Sequence, residues 1–122
     1  MENVILLLVD DEEEFALTLS ERLTLRGIRA RVVFDGEEAL REIEADPPQV
    51  VLLDVLMPRI GGMEVLRRIK LRHPRIQVIL LTAQGSTKVG MEGMRLGAYD
   101  YLMKPVRIEE LVEKIYHASG KA

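Results

Sequence analysis

Five short apolar runs divide the chain, and polar segments with helical periodicity separate them. The runs are Val4–Val9, Ala30–Phe34, Val50–Leu53, Val78–Leu81 and Tyr99–Met103. They recur about every twenty to twenty-five residues, the rhythm of successive strand–helix units. No hairpin signal joins neighbouring runs, so parallel strands linked by crossovers are the economical reading. The first, third and fourth runs are continuously apolar, as strands covered on both faces are. The second and fifth contain Arg31, Asp100 and tyrosines, and read as edges. Edges at those two places fit a doubly wound α/β sheet of order 2-1-3-4-5.

Five helices fill the gaps. Phe15, Leu19 and Leu23 fall on one helical face, and Gly27 is a plausible stop. Asp35 followed by Glu38 is a capping-box-like start for a helix with Ala39, Leu40 and Ile43, ended before Pro47-Pro48. Met63, Leu66 and Ile69 mark a third helix before Pro74. Ile108, Leu111, Val112 and Ile115 give the clearest stripe, for the last helix. The fourth helix is weakly written, because Gly85, Gly90, Gly93 and Gly97 crowd its segment. Interior glycines each cost about 0.5–1 kcal/mol relative to alanine. That segment is expected to be short or frayed, or kept marginal so that it can move.

Composition narrows the class. A chain of 122 residues is expected to form one domain, 1–122, and its 48% apolar content allows a real core. The net charge of −3 argues against direct nucleic-acid binding. Without cysteine there is no disulfide, zinc–thiolate site or thiol nucleophile. The longest apolar run is far too short to span a membrane, and no leader peptide is evident. A cytoplasmic location is the expectation.

The candidate chemistry lies where the strands end. In an open parallel sheet, ligands sit beyond the carboxyl ends of the strands, where the strand order reverses. Asp10 and Asp11 follow the first strand, Asp54 follows the third, Thr82 ends the fourth and Lys104 follows the fifth. Three carboxylates converging within about 4–6 Å disfavour one another's ionisation unless a cation joins them. Oxygen ligands in an open, partly hydrated site favour Mg²⁺. A cation, an ammonium and a hydroxyl around a carboxylate make a site for phosphoryl transfer, with the carboxylate as covalent nucleophile.

Val9-Asp10-Asp11-Glu12, Leu53-Asp54-Val55-Leu56-Met57-Pro58, Leu81-Thr82-Ala83 and Tyr101-Leu102-Met103-Lys104-Pro105 stand in this order along nearly the whole chain. Together they resemble the receiver domain of two-component response regulators, a flavodoxin-like fold. The resemblance implies that Asp54 accepts a phosphoryl group from a sensor histidine kinase or phosphotransfer protein. It implies Mg²⁺ held by Asp10, Asp11, Asp54 and the backbone carbonyl at Leu56. Thr82 and Lys104 would bind the phosphoryl oxygens, and Ala83 would leave them room. Thr82, Tyr101 and Pro105 would form the switch, Pro105 through a cis peptide bond that aims Lys104 inward. The fourth helix, fifth strand and fifth helix would then present the output surface to a target, an output domain or a second copy.

Gly61-Gly62 stands where the family often has Asp-Gly, a change expected to affect the loop more than the chemistry. Leu56 and Gln84 occupy positions that tune phosphoryl lifetime in the family. Apolar Leu56 would restrict water and favour a moderately long-lived phosphoform. Glu13 and Glu14 read as acids at a helix start, where the macrodipole suits them. Arg67, Arg68, Lys70, Arg72 and Arg75 read as a solvated face, His73 and His117 as surface residues, and the methionines as core filler. Three other classes fit less well. A small aspartate-based phosphatase wants a second acid where Leu56 stands. A flavin-binding flavodoxin wants a phosphate loop where five acids stand. A scaffold that is never phosphorylated has no need of the intact acid set.

Overall fold

The computed structural model describes residues 3–83 and 86–120. Ten elements alternate: β1 (Leu6–Val9), α1 (Glu13–Thr24), β2 (Ala30–Val33), α2 (Gly36–Ala45), β3 (Val50–Asp54), α3 (Gly62–Arg72), β4 (Gln77–Thr82), α4 (Thr87–Arg95), β5 (Asp100–Met103) and α5 (Ile108–Ser119). The strands form one parallel sheet in the order β2-β1-β3-β4-β5, as their apolar character suggests. β1 and β3 are buried throughout and β4 nearly so, whereas β2 and β5 are only partly covered.

Alternation along the buried strands feeds two cores. Leu6, Leu8, Val50, Leu52, Ile79 and Leu81 point to one face, against Ala16, Leu19 and Leu23 of α1 and Ile108, Leu111 and Ile115 of α5. Leu7, Val9, Val51, Leu53, Val78 and Leu80 point to the other, against Ala39 and Ile43 of α2 and Val65, Leu66 and Ile69 of α3. This is why these strands lack the polar alternation of a half-exposed sheet.

Local signals explain most of the boundaries. Gly27 lies in the turn after α1 at φ +83°, a left-handed conformation that glycine adopts without strain. At α2 the Asp35 carboxylate accepts from the Glu38 N–H, and Glu38 reaches back to the Phe34 N–H. The reciprocal arrangement is that of a capping box, shifted by one residue on the return bond. Phe15 is only half-buried, and Ala16 takes the core position in its place.

The fourth helix is short, as expected, and runs unbroken over nine residues. Gly90 and Gly93 are its buried residues, and each accommodates a neighbour. A Cβ on Gly90 would overlap the Tyr101 ring, and one on Gly93 would overlap Leu80 Cδ1. These glycines let α4 lie close against β4 and β5. Gln84 and Gly85 fall outside the described residues.

Candidate functional site

Register brings the polar groups to one rim. Val9 lies beside Leu53, Asp54 beside Leu81 and Thr82 beside Met103. The residues that end or follow β1, β3, β4 and β5 therefore sit at one level. Asp54 and Thr82 are themselves the last residues of their strands. Backbone bonds extend the ladders into the rim: Asp10 N–H to Val33 O at 3.2 Å, Val55 N–H to Leu81 O at 3.1 Å, and Lys104 N–H to Thr82 O at 2.8 Å.

The segment after Asp54 is pinned. The Gly62 N–H donates to Val55 O at 2.9 Å. A Cβ on Gly62 would overlap the Asp54 carbonyl and lie 2.7 Å from Val55 Cα, so only glycine lets α3 start this close to the Asp54–Val55 backbone. A Cβ on Gly61 would meet Val55 O at 3.8 Å, an ordinary contact. Of the two glycines, it is therefore Gly62 whose lack of a side chain the site's geometry needs.

Asp10, Asp11 and Asp54 can each offer one carboxylate oxygen within 4.8 Å of the other two. Asp10 and Asp54 are buried and Asp11 is exposed, so the cluster opens to solvent on one side. That donor set fits a hard divalent cation that keeps part of its water shell. The Lys104 ammonium lies 2.9 Å from Asp10 Oδ2, 2.9 Å from Glu12 Oε1 and 3.6 Å from Asp54 Oδ1. It also sits over the Phe15 ring, 4.3 Å from the centroid. Asp11, Glu12, Asp54, Leu56, Ala83 and Lys104 line a cavity of about 300 Å³. The Thr82 hydroxyl is buried and has no hydrogen-bond partner among the described residues. An orphaned hydroxyl costs stability unless a ligand completes it.

The electrostatics are uneven. Burial pushes the Asp54 carboxyl up to about 7, and the Asp10 charge adds to this. Lys104, the Leu56 N–H bonded to the carboxylate, and the Asp11 charge enter more weakly, the first two lowering it and the third raising it. For Lys104, burial opposes the charge. Hydrogen bonds to Asp10 and Glu12, with the charges of Asp54 and Asp10, outweigh it and hold the ammonium above the ordinary lysine range. The site therefore places one carboxylate that is hard to ionise next to a cation that is hard to neutralise.

The structure brings Asp10, Asp11, Asp54, Leu56, Ala83 and Lys104 together, with the Thr82 side chain buried at the same end of the sheet. The Leu56 side chain is exposed, and its backbone contributes the contact to Asp54. The Lys104–Pro105 peptide bond is cis, as the resemblance implies. Tyr101 is half-buried, with its ring over Gly90. Gln84 lies outside the described residues.

Sequence reasoning missed Glu12. Its contact with Lys104 spans 92 residues, and an acid at a helix start gives no sign of such a partner. It also missed Arg59, which adopts φ +62° and pairs with Asp35 at 3.1 Å. The basic stretch is a surface face, as expected, and three of its five cations pair with acids. Arg67 and Arg68 share Glu64, while Arg72 and His73 share Glu44.

A flavodoxin-like sheet with a cluster of acids on the rim at its switch point defines the class. Comparison with known proteins defines the family. The model of the response regulator receiver domain matches residues 6–116, and the chain belongs to that family. It is 36% identical over 113 residues to the response regulator MprA of Mycobacterium ulcerans, covering 93% of this chain and 49% of that protein. It is 42% identical over 110 residues to the transcriptional regulatory protein CpxR of Klebsiella pneumoniae, covering 90% of this chain and 47% of that one. The chain thus spans about half the length of these relatives. Among solved structures, it superposes on the receiver domain of Francisella response regulator 1452 with a TM-score of 0.91 at 32% identity, covering 98% of both chains. NtrX of Brucella abortus gives 0.92 at 29% identity, with 98% of this chain but 27% of that one covered. The chain is thus a receiver domain of the two-component response-regulator type. Among the described residues, no helix is long and apolar enough to cross a membrane.

Proposed function

We propose that Asp54 is the phosphoacceptor and that Mg²⁺ is held by Asp10, Asp11, Asp54 and the Leu56 carbonyl. The observation that carries this reading is the company of Asp54. Two further carboxylates lie within one cation's reach, an ammonium stands at 3.6 Å, and an unpartnered threonine hydroxyl is buried nearby. Bound there, the cation would neutralise the carboxylates and the charge of the transferring group. An Asp54 carboxylate oxygen forms the new P–O bond as the donor's P–N bond breaks. The electron pair returns to the donor imidazole. Lys104, which now donates to Asp10 and Glu12, turns one N–H to a phosphoryl oxygen, and the Thr82 hydroxyl donates to another. Ala83, lining the cavity, leaves space for them.

The donor is a sensor histidine kinase or phosphotransfer protein. The protein acts as a signalling domain that catalyses only its own phosphorylation and dephosphorylation. Leu56 supports that limit, since an apolar side chain two residues past Asp54 offers no proton to a leaving group. The phosphoryl charge, about −1.5 to −2 for ordinary phosphoresidues, acts on Thr82 and Lys104. Tyr101 passes the change to α4, and the α4–β5–α5 face engages an output domain, a target protein or a second copy. Residues 1–122 act as one receiver unit in the cytoplasm. The exposed Leu56 side chain at the cavity favours a phosphoform that outlasts seconds.

Intact mass after incubation with acetyl phosphate tests the core of this reading. One added phosphoryl group is expected, lost without Mg²⁺ and lost in Asp54→Asn. A folded wild-type protein that gains no mass overturns the assignment and favours an unphosphorylated scaffold.

A further inference from the structure

We propose that Glu12 is a displaceable counter-ion for Lys104, and that it sets how readily the site takes up a phosphoryl group. The inference rests on the phosphoacceptor reading of Asp54 and deepens it. Glu12 stands at the N-cap position of α1, yet its side chain caps nothing. Its backbone is fixed instead, because its N–H donates to Asp10 Oδ1 at 3.0 Å. That leaves the carboxylate free to reach Lys104 Nζ at 2.9 Å.

The partners of Lys104 differ in what they can give up. Asp10 and Asp54 belong to the carboxylate cluster and lie buried. The Phe15 ring carries no charge. Glu12 alone among these partners is an acid outside that cluster, and its side chain is 65% exposed. Water can rehydrate it as soon as it lets go. Lys104 now donates to Asp10 and Glu12, while Asp54 at 3.6 Å is beyond a good hydrogen bond. A phosphoryl oxygen on Asp54 must compete for an N–H that Glu12 holds. The Glu12 charge also faces the incoming anion across the same small cavity. Both effects have one sign, and both slow uptake.

The test compares phosphorylation rates of wild type, Glu12→Gln and Glu13→Gln with acetyl phosphate at fixed Mg²⁺. Glu13→Gln removes the same charge from the next residue, which has no ion pair with Lys104. Glu12→Gln is expected to react roughly two- to five-fold faster, the range of an exposed ion pair. Glu13→Gln is expected to stay near wild type. The gain should shrink as salt rises from about 0.01 to 1 M, since screening weakens the exposed pair. In a Lys104→Ala background, Glu12→Gln should lose most of its effect. A Glu12→Gln rate equal to wild type overturns the proposal, as does equal acceleration by Glu13→Gln. If wild type itself is never phosphorylated, the Asp54 reading fails, and this inference falls with it.

Discussion

Helix α5 rests on the sheet through Ile108, Leu111 and Ile115, large side chains sunk into the core. Helix α4 rests on it through Gly90 and Gly93, into which the sheet sends Tyr101 and Leu80. One helix brings knobs to the sheet and the other brings holes. Both solutions bury apolar surface, but they put the specificity in different places. For α5, the helix's own apolar spacing states where it docks. For α4, the docking information lies in Leu80 and Tyr101, on strands that the helical pattern does not include. The hole also leaves α4 with low intrinsic helix propensity, so its stability depends on the contact. An element of that kind suits a surface that must change, and α4 and β5 form part of the proposed output face.

The comparison can be broken by variants on each helix. Leu111→Ala should cost the most, about 2–5 kcal/mol, since it leaves a cavity in a closed core. Chemical denaturation checks it, and a loss under 1 kcal/mol would mean that α5 is not anchored by its stripe. Gly93→Ala should cost about 1–3 kcal/mol by overpacking against buried Leu80. It should be partly rescued by Leu80→Val, because the overlap is with the end of that side chain.

The next effect is one of shape with pH. Asp54 titrates near 7 in the fold against an ordinary 3.8, so the fold favours its neutral form. Its contribution to stability is full below pH 3.8 and is lost as pH rises through 7. Asp54→Asn should therefore be more stable than wild type at pH 8, by about 1–2 kcal/mol, and flatter from pH 5 to 8. Added Mg²⁺ should raise the wild-type melting temperature more at pH 8 than at pH 5, since protons compete for the carboxylate. The helix-docking variants should shift the same curve without changing its form. A wild-type profile already flat between pH 5 and 8 would place the Asp54 carboxyl back in its ordinary range.

The smallest effect is the most telling, because it should reverse sign. Gly90→Ala alone should destabilise by about 0.5–1 kcal/mol, since the half-buried Tyr101 ring can swing aside. In a Tyr101→Ala background, the same change should stabilise by about 0.5–1 kcal/mol, as alanine improves an open helix position. Equal effects in both backgrounds would mean that the ring does not occupy the hole.

Much of the site was legible because register and strand polarity do the assembling. Once β1, β3, β4 and β5 are parallel and in the order found, Asp10, Asp11, Asp54, Thr82 and Lys104 must meet at one end. Their residue types then narrow the chemistry. The Glu12–Lys104 pair was not legible, because which acid a lysine chooses depends on side-chain reach across two loops. Nor was the left-handed Arg59, which no local residue signal marks, or the requirement for glycine at 62, set by the approach of another segment's backbone.

By itself, the amino-acid order determined the alternation of elements, which strands are central, and which polar groups follow them. Those properties are local: each is written within about ten residues as apolar run, period or cap. The tertiary structure alone decided which acid holds Lys104, how far burial lifts Asp54, and why α4 needs its glycines. Each of these depends on the distance between groups far apart in the chain, and on the water that packing removes from between them.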